Sequence, residues 1–194
     1  MEVAAAGPRR ALIIHGWKDD PSSGWLGWIG RELEAAGYSI QAPRFEVAEK
    51  PILPTWLATL ESATTWLEGG EQTLIIGHSL GCFLALRMLE MYDFSRPVGG
   101  LYLVSGFYDA PRPEASRWFS PEPNWSLIRS RTSERVCIYS DDDTIVTPDR
   151  TRRLAHKLQA RLLCVVGQGH FLGSQGMNDL PELLESLEDL GFTA

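Results

Sequence analysis

The sequence predicts an α/β fold: a three-layer α/β/α sandwich on a mainly parallel, six-stranded sheet. Three observations carry this expectation. Short apolar runs alternate with longer stretches of helical spacing, the pattern of βα units whose strands are buried on both faces. The 194 residues are 44% hydrophobic and 22% charged, which suits a globular chain with one sizeable core. No repeat, low-complexity tract or linker divides residues 1–194, so a single domain is expected.

The elements follow in order. Ala11 to Ile14 is too short for a helix and ends at His15-Gly16, which suits a buried central strand. Trp25, Trp28, Ile29, Leu33 and Ala36 fall near helical spacing, and Gly37 supplies a stop. Tyr38 to Ala42 reads as a second strand closed by Pro43, and Arg44 to Pro54 as a loop. Thr55 to Leu67 is an amphipathic helix ended by Gly69-Gly70. Thr73 to Ile76 is the third strand, Leu80 to Tyr92 the third helix and Val98 to Val104 the fourth strand. Phe107 to Ile128, with four prolines and an aromatic cluster, reads as an excursion above the sheet with one short helical turn. Arg135 to Ser140 is the fifth strand, Pro148 to Gln159 a helix with proline in its first turn, Arg161 to Val166 the sixth strand, and Leu180 to Leu190 the last helix.

Bulk properties exclude several functions. The net charge of -7 repels phosphate backbones and anionic headgroups, so neither nucleic acid nor a membrane surface is an expected partner. No apolar run approaches the ~20 residues that span a bilayer, and the first ten residues show no leader pattern; a cytoplasmic protein is expected. The three cysteines, Cys82, Cys137 and Cys164, are odd in number and widely spaced, which points to neither a disulfide framework nor a zinc site. Cys137 and Cys164 sit in apolar runs and are expected to be buried thiols.

The chemistry concentrates at Gly77-His78-Ser79-Leu80-Gly81, a G-x-S-x-G motif entered by an apolar strand and left by a helical pattern. That context marks the nucleophile elbow of an α/β-hydrolase. The serine occupies a strained turn, and glycines two before and two after leave room where a Cβ would crowd it. A neutral serine needs a base. Of four histidines, His156 lies on a charged helical pattern, His15 comes too early in the chain, and His78 is beside the serine and fits a packing or hydrogen-bonding role. His170 follows the sixth strand, where this fold places its histidine. The acid should precede it, after the fifth strand. Asp141-Asp142-Asp143 offers three candidates; Asp143, directly before Thr144-Ile145-Val146, is the first choice and Asp142 the second. The alternating ligands and glycine bend of a calcium loop are missing, so no metal is expected. The oxyanion of an acyl-transfer intermediate would be held by the N–H groups of Leu80 and Trp17. Trp17, the Trp25/Trp28 region and Phe107 with the residues after it would wall a small apolar pocket.

These residues together resemble the small serine hydrolases related to retinoblastoma-binding protein 9. The likeness rests on the early strand with its glycine loop, Gly24-Trp25-Leu26-Gly27-Trp28, the elbow, Asp142-Asp143, Asn124-Trp125-Ser126-Leu127-Ile128 and Gly169-His170-Phe171. It spans roughly Ala11 to Leu187. It implies a minimal α/β-hydrolase without a large cap domain, a Ser79, Asp143 and His170 triad, no cofactor, and hydrolysis of small esters or amides. Two departures stand out. The first loop reads His15-Gly16-Trp17 where the family usually has Pro-Gly, and Thr144 follows the acid where the family typically has proline. No L-x-C-x-E motif is present, so retinoblastoma protein is not carried over as a partner. A non-catalytic binding module and an acyltransferase are the alternatives on the same fold.

Overall fold

The computed structural model of the chain describes residues 7–46, 51–110, 116 and 118–193. Residues 47–50 of the expected loop and 111–115 and 117 of the expected excursion lie outside them. The strands are β1 (Arg10–Ile14), β2 (Ser39–Gln41), β3 (Gly70–His78), β4 (Val98–Val104), β5 (Thr132–Ser140) and β6 (Arg161–Val165). The helices are α1 (Gly24–Ala35), α2 (Leu53–Leu67), α3 (Leu80–Met91), α4 (Trp125–Ser130), α5 (Pro148–Leu158) and α6 (Pro181–Asp189). The strands form one sheet in the order β2-β1-β3-β4-β5-β6, with every pairing parallel.

Side-chain alternation along the strands divides the core into two layers. Leu12, Ile14, Ile75, Leu101, Leu103 and Cys137 face α2, α3, α4 and α5. Ala11, Ile13, Leu74, Ile76, Tyr102, Val104, Val136 and Ile138 face α1 and α6. The central strands are apolar at nearly every position because both faces are covered.

Boundaries differ from the sequence reading for physical reasons. β3 and β5 start three residues earlier than their apolar runs, at Gly70 and Thr132, and both pair there with Val98. Backbone pairing reaches polar residues at that end of the strands, in β3 across a register shift between Gly70 and Leu74, which hydrophobic pattern does not register. α2 starts at Leu53, because Pro54 occupies the first turn, where a missing N–H costs nothing. The later part of the excursion forms α4, whose N-cap Asn124 accepts the Leu127 N–H at 3.1 Å. Cys164 is exposed, not buried. It lies on β6, an edge strand with exposed residues at three of its five positions, including Leu162. Cys137, one strand inward, is buried as expected. No helix among the described residues is long and apolar enough to cross a membrane.

Candidate active site

The chain passes from β1 outward to β2, then crosses back to β3 on the other side of β1. The loops after β1 and β3 therefore diverge at the sheet's C-terminal edge, the switch point where open α/β sheets bind ligands. Ser79 directly follows β3 and caps α3 with φ 52° and ψ -118°, a conformation a side chain rarely adopts. Strain of this kind costs on the order of 1–3 kcal/mol and persists where neighbours over-determine it. Here the Ser79 N–H donates to Val104 O at 2.9 Å and Ser79 O accepts from the Cys82 N–H at 3.0 Å. The glycines serve as the motif requires. A Cβ on Gly77 would come within 3.0 Å of the Cys82 backbone, and one on Gly81 within 2.2 Å of Ile14 O. Gly16 backs directly against Ser79: a Cβ there would meet Ser79 Cβ at 3.1 Å.

His170 Nε2 lies 2.9 Å from Ser79 Oγ, and its Nδ1 lies 2.8 Å from Asp143 Oδ2. Asp143 is 3% exposed. An ionised carboxylate accepts only, so Nδ1 carries the hydrogen and Nε2 is free to accept from the serine. The other acceptor positions of Asp143 are also used. Ser105 Oγ–H donates to Oδ2 at 2.8 Å, and the N–H groups of Ile145 and Val146 donate to Oδ1 at 2.8 and 2.9 Å. Burial opposes the charge, but the bonds from His170, Ser105 and Val146 outweigh it and hold the carboxyl below its ordinary range. Ser105, held at φ 47° in the loop after β4, was not singled out from the sequence. A small polar residue at the C-terminal end of a central strand was its one visible signal.

Asp142 has a different task. Its Oδ1 accepts Ser140 Oγ–H at 2.6 Å and the Gly169 N–H at 2.8 Å. Asp141 accepts the Gly167 N–H at 2.9 Å, and Ser140 Oγ accepts the Gln168 N–H at 2.8 Å. The run Ser140 to Asp143 thus holds the loop from Gly167 to His170 at each residue. The geometry separates Asp143, bonded to the imidazole, from Asp142, bonded to the backbone beside it.

The depressed Asp143 carboxyl has a consequence for stability. A group whose folded pKa lies below its unfolded value stabilises the fold above the unfolded value, and that stability is lost as pH falls through the folded pKa. Urea unfolding from pH 7 to pH 3 should therefore show wild type losing its advantage over Asp143→Asn below about pH 4. An advantage that grew on acidification would contradict the arrangement.

The remaining predicted residues divide. His15 Nε2 accepts the Phe45 N–H at 3.0 Å, so Nδ1 donates to Gly16 O at 2.7 Å. Burial lowers the His15 pKa, consistent with this neutral form. Because a trans peptide is planar, fixing Gly16 C=O also fixes the direction of the Trp17 N–H. The Trp17 ring is 44% exposed at the rim. Trp25 is 1% exposed and forms no pocket wall. Its indole N–H donates to Phe171 O at 2.9 Å, so it braces the His170 loop from beneath. A large aromatic with one donor is most stable where both ring and N–H are satisfied, which is inside. Phe107 is 5% exposed and likewise offers no open wall, being packed on Phe119 and covered by the Arg150 guanidinium. His156 is exposed on α5, as expected. His78 turns away from the serine: Nε2 meets His170 O at 2.9 Å and Nδ1 meets Asp19 Oδ2 at 3.0 Å.

An all-parallel sheet with a strained serine at the end of its third strand, joined to a histidine after its last, is the architecture of an α/β-hydrolase. Solved structures agree. Over 94% of this chain and 98% of the other, it superposes on the ydeN gene product of B. subtilis with a TM-score of 0.86 at 30% identity. Over 95% and 88%, it superposes on Est1E of Butyrivibrio proteoclasticus with a TM-score of 0.69 at 12% identity. The model of the family described as serine hydrolase matches residues 11–189, and the chain belongs to that family. In sequence it is 32% identical over 181 residues to YdeN of Bacillus subtilis, covering 92% of this chain and 94% of that one. It is 30% identical over 194 residues to serine hydrolase RBBP9 of Rattus norvegicus, covering 94% and 97%.

Proposed function

We propose that this serine hydrolase cleaves small esters or amides through an acyl-enzyme on Ser79. The observation that carries the reading is the line from Ser79 Oγ through His170 to Asp143, with 2.9 and 2.8 Å contacts. Ser79 Oγ attacks the carbonyl carbon as its proton passes to His170 Nε2. Asp143 keeps Nδ1 protonated and steadies the imidazolium that forms. The N–H groups of Leu80, at the first position of α3, and of Trp17 hold the oxyanion, aided by the positive end of the helix. Collapse expels the alcohol or amine, which takes the proton from His170. Water, deprotonated by the same histidine, then releases the acid and restores Ser79. No cofactor enters any step.

The substrate is read as small because two aromatics expected to wall a pocket, Trp25 and Phe107, are buried. Among the described residues, the exposed apolar side chains close in sequence to the site residues include Trp17 and Ile145, the latter 57% exposed. Short acyl groups are expected to turn over better than long ones. A fluorophosphonate probe tests the reading: it should label the protein once, on the Ser79 peptide. Among p-nitrophenyl esters, acetate and butyrate should turn over faster than longer chains. Absence of labelling, or labelling of another residue, would overturn the mechanism; a preference for long chains would overturn the substrate class alone.

A further inference from the structure

We propose that His78 and Asp19 form a buried ion pair that sets the position of His170 through its main-chain carbonyl. This rests on the reading of His170 as the general base.

Both ring nitrogens of His78 face acceptors. His170 O can only accept, so Nε2 donates to it across 2.9 Å. An ionised Asp19 can only accept as well, so Nδ1 also carries a hydrogen across 3.0 Å, and the ring is an imidazolium. Asp19 is suited to the partner role. Burial opposes its charge, yet the bonds from His78 and from the Asp20 N–H hold its carboxyl below the ordinary range. His78 itself is 1% exposed, and a charge so placed requires a paired counter-ion.

Two rings flank His78. Trp25 stands nearly perpendicular to it at 5.6 Å between centroids, and the His170 ring stands 5.1 Å away. Three loops meet at His78. It directly precedes the nucleophile, Asp19 closes the turn whose Gly16 abuts Ser79, and the His170 carbonyl belongs to the base. Asp143 fixes the imidazole of His170 from the side-chain end; the His78 pair fixes the same residue from its backbone. His78 is therefore a positioning residue that registers base against nucleophile.

Two variants separate positioning from space-filling. His78→Gln keeps an N–H donor near the Nε2 position, whereas His78→Met fills similar volume without one. A small misplacement of reacting groups can cost up to about 100-fold in rate. His78→Met should lower kcat for p-nitrophenyl acetate by about tenfold to 100-fold with KM nearly unchanged, and slow fluorophosphonate labelling in parallel. His78→Gln, which keeps the donor to the His170 carbonyl but not the charge paired with Asp19, should recover part of that loss. Nitrogen-15 NMR of the ring supplies a readout independent of turnover: in wild type both His78 nitrogens should carry protons, and in Asp19→Asn the Nδ1 proton should be lost. Equal kcat in wild type and His78→Met, equal loss in both variants, or an unprotonated Nδ1 in wild type would overturn the proposal. Full turnover by His170→Ala would instead remove the triad reading, and the kinetic role of His78 with it, while the NMR result would still decide whether the ion pair exists.

Discussion

Ser79→Ala and His170→Ala are each expected to lower kcat/KM for a small ester by about 10⁴-fold or more, and Asp143→Asn by nearly as much. Asp142→Asn should stay within about tenfold of wild type. The contrast between the two aspartates follows from their partners. An asparagine at 143 can still accept from Ile145 and Val146 through its oxygen, so the loop survives. Its amide nitrogen, however, then faces His170 Nδ1 as a donor. That favours the tautomer with hydrogen on Nε2, which cannot accept the proton of Ser79. At position 142 the oxygen that accepts from Ser140 and Gly169 is retained in asparagine, and only charge is lost. Steady-state kinetics of the four variants, with circular dichroism to confirm folding, reads the ordering. Equal losses at 142 and 143 would contradict the assignment of the acid.

The second large effect is on folding. Gly81→Ala should prevent accumulation of native protein. A Cβ at that position would stand 2.2 Å from Ile14 O and 2.7 Å from His15 O, both backbone atoms of the central strand and its loop. Overpacking of ordinary cores costs about 1–3 kcal/mol because side chains yield. Here α3 would have to lift off β1, and with it the elbow. A marginal domain stability of roughly 5–15 kcal/mol leaves little reserve for that. Gly37→Ala is the control: nothing lies within 4 Å of its Cβ, so only the positive φ of 85° is strained. Soluble yield and thermal midpoint compare the two. Wild-type stability in Gly81→Ala would mean the helix is less tightly seated than these distances require.

Much of this was legible in the sequence, and the parts that were not share a cause. The succession of strands along the chain and the elbow come from local pattern: short apolar runs over Ala11 to Ile14 and Thr73 to Ile76, and glycines flanking Ser79. His170 came from its place after the sixth strand. What local pattern does not carry is which way a side chain faces once the chain has closed. Trp25 and Phe107 read as pocket aromatics by composition, yet each is drawn inward, one to reach the Phe171 carbonyl and the other under Arg150. Asp142 and Asp143 are neighbours in sequence, and only their partners 27 residues away distinguish them. Ser105 and Asp19 join residues 38 and 59 positions distant, contacts with no periodic signature. Cys164 looked like core because its run is apolar, but an edge strand leaves part of such a run uncovered.

The central claim is that Ser79 becomes acylated during turnover. Rapid quenching of wild-type protein with p-nitrophenyl acetate, followed by mass spectrometry of the digested chain, tests it most directly. An acetyl group is expected on the peptide bearing Ser79, formed in a burst with p-nitrophenol release and absent in Ser79→Ala. Wild-type turnover with no adduct at Ser79, or undiminished hydrolysis by Ser79→Ala, would contradict it.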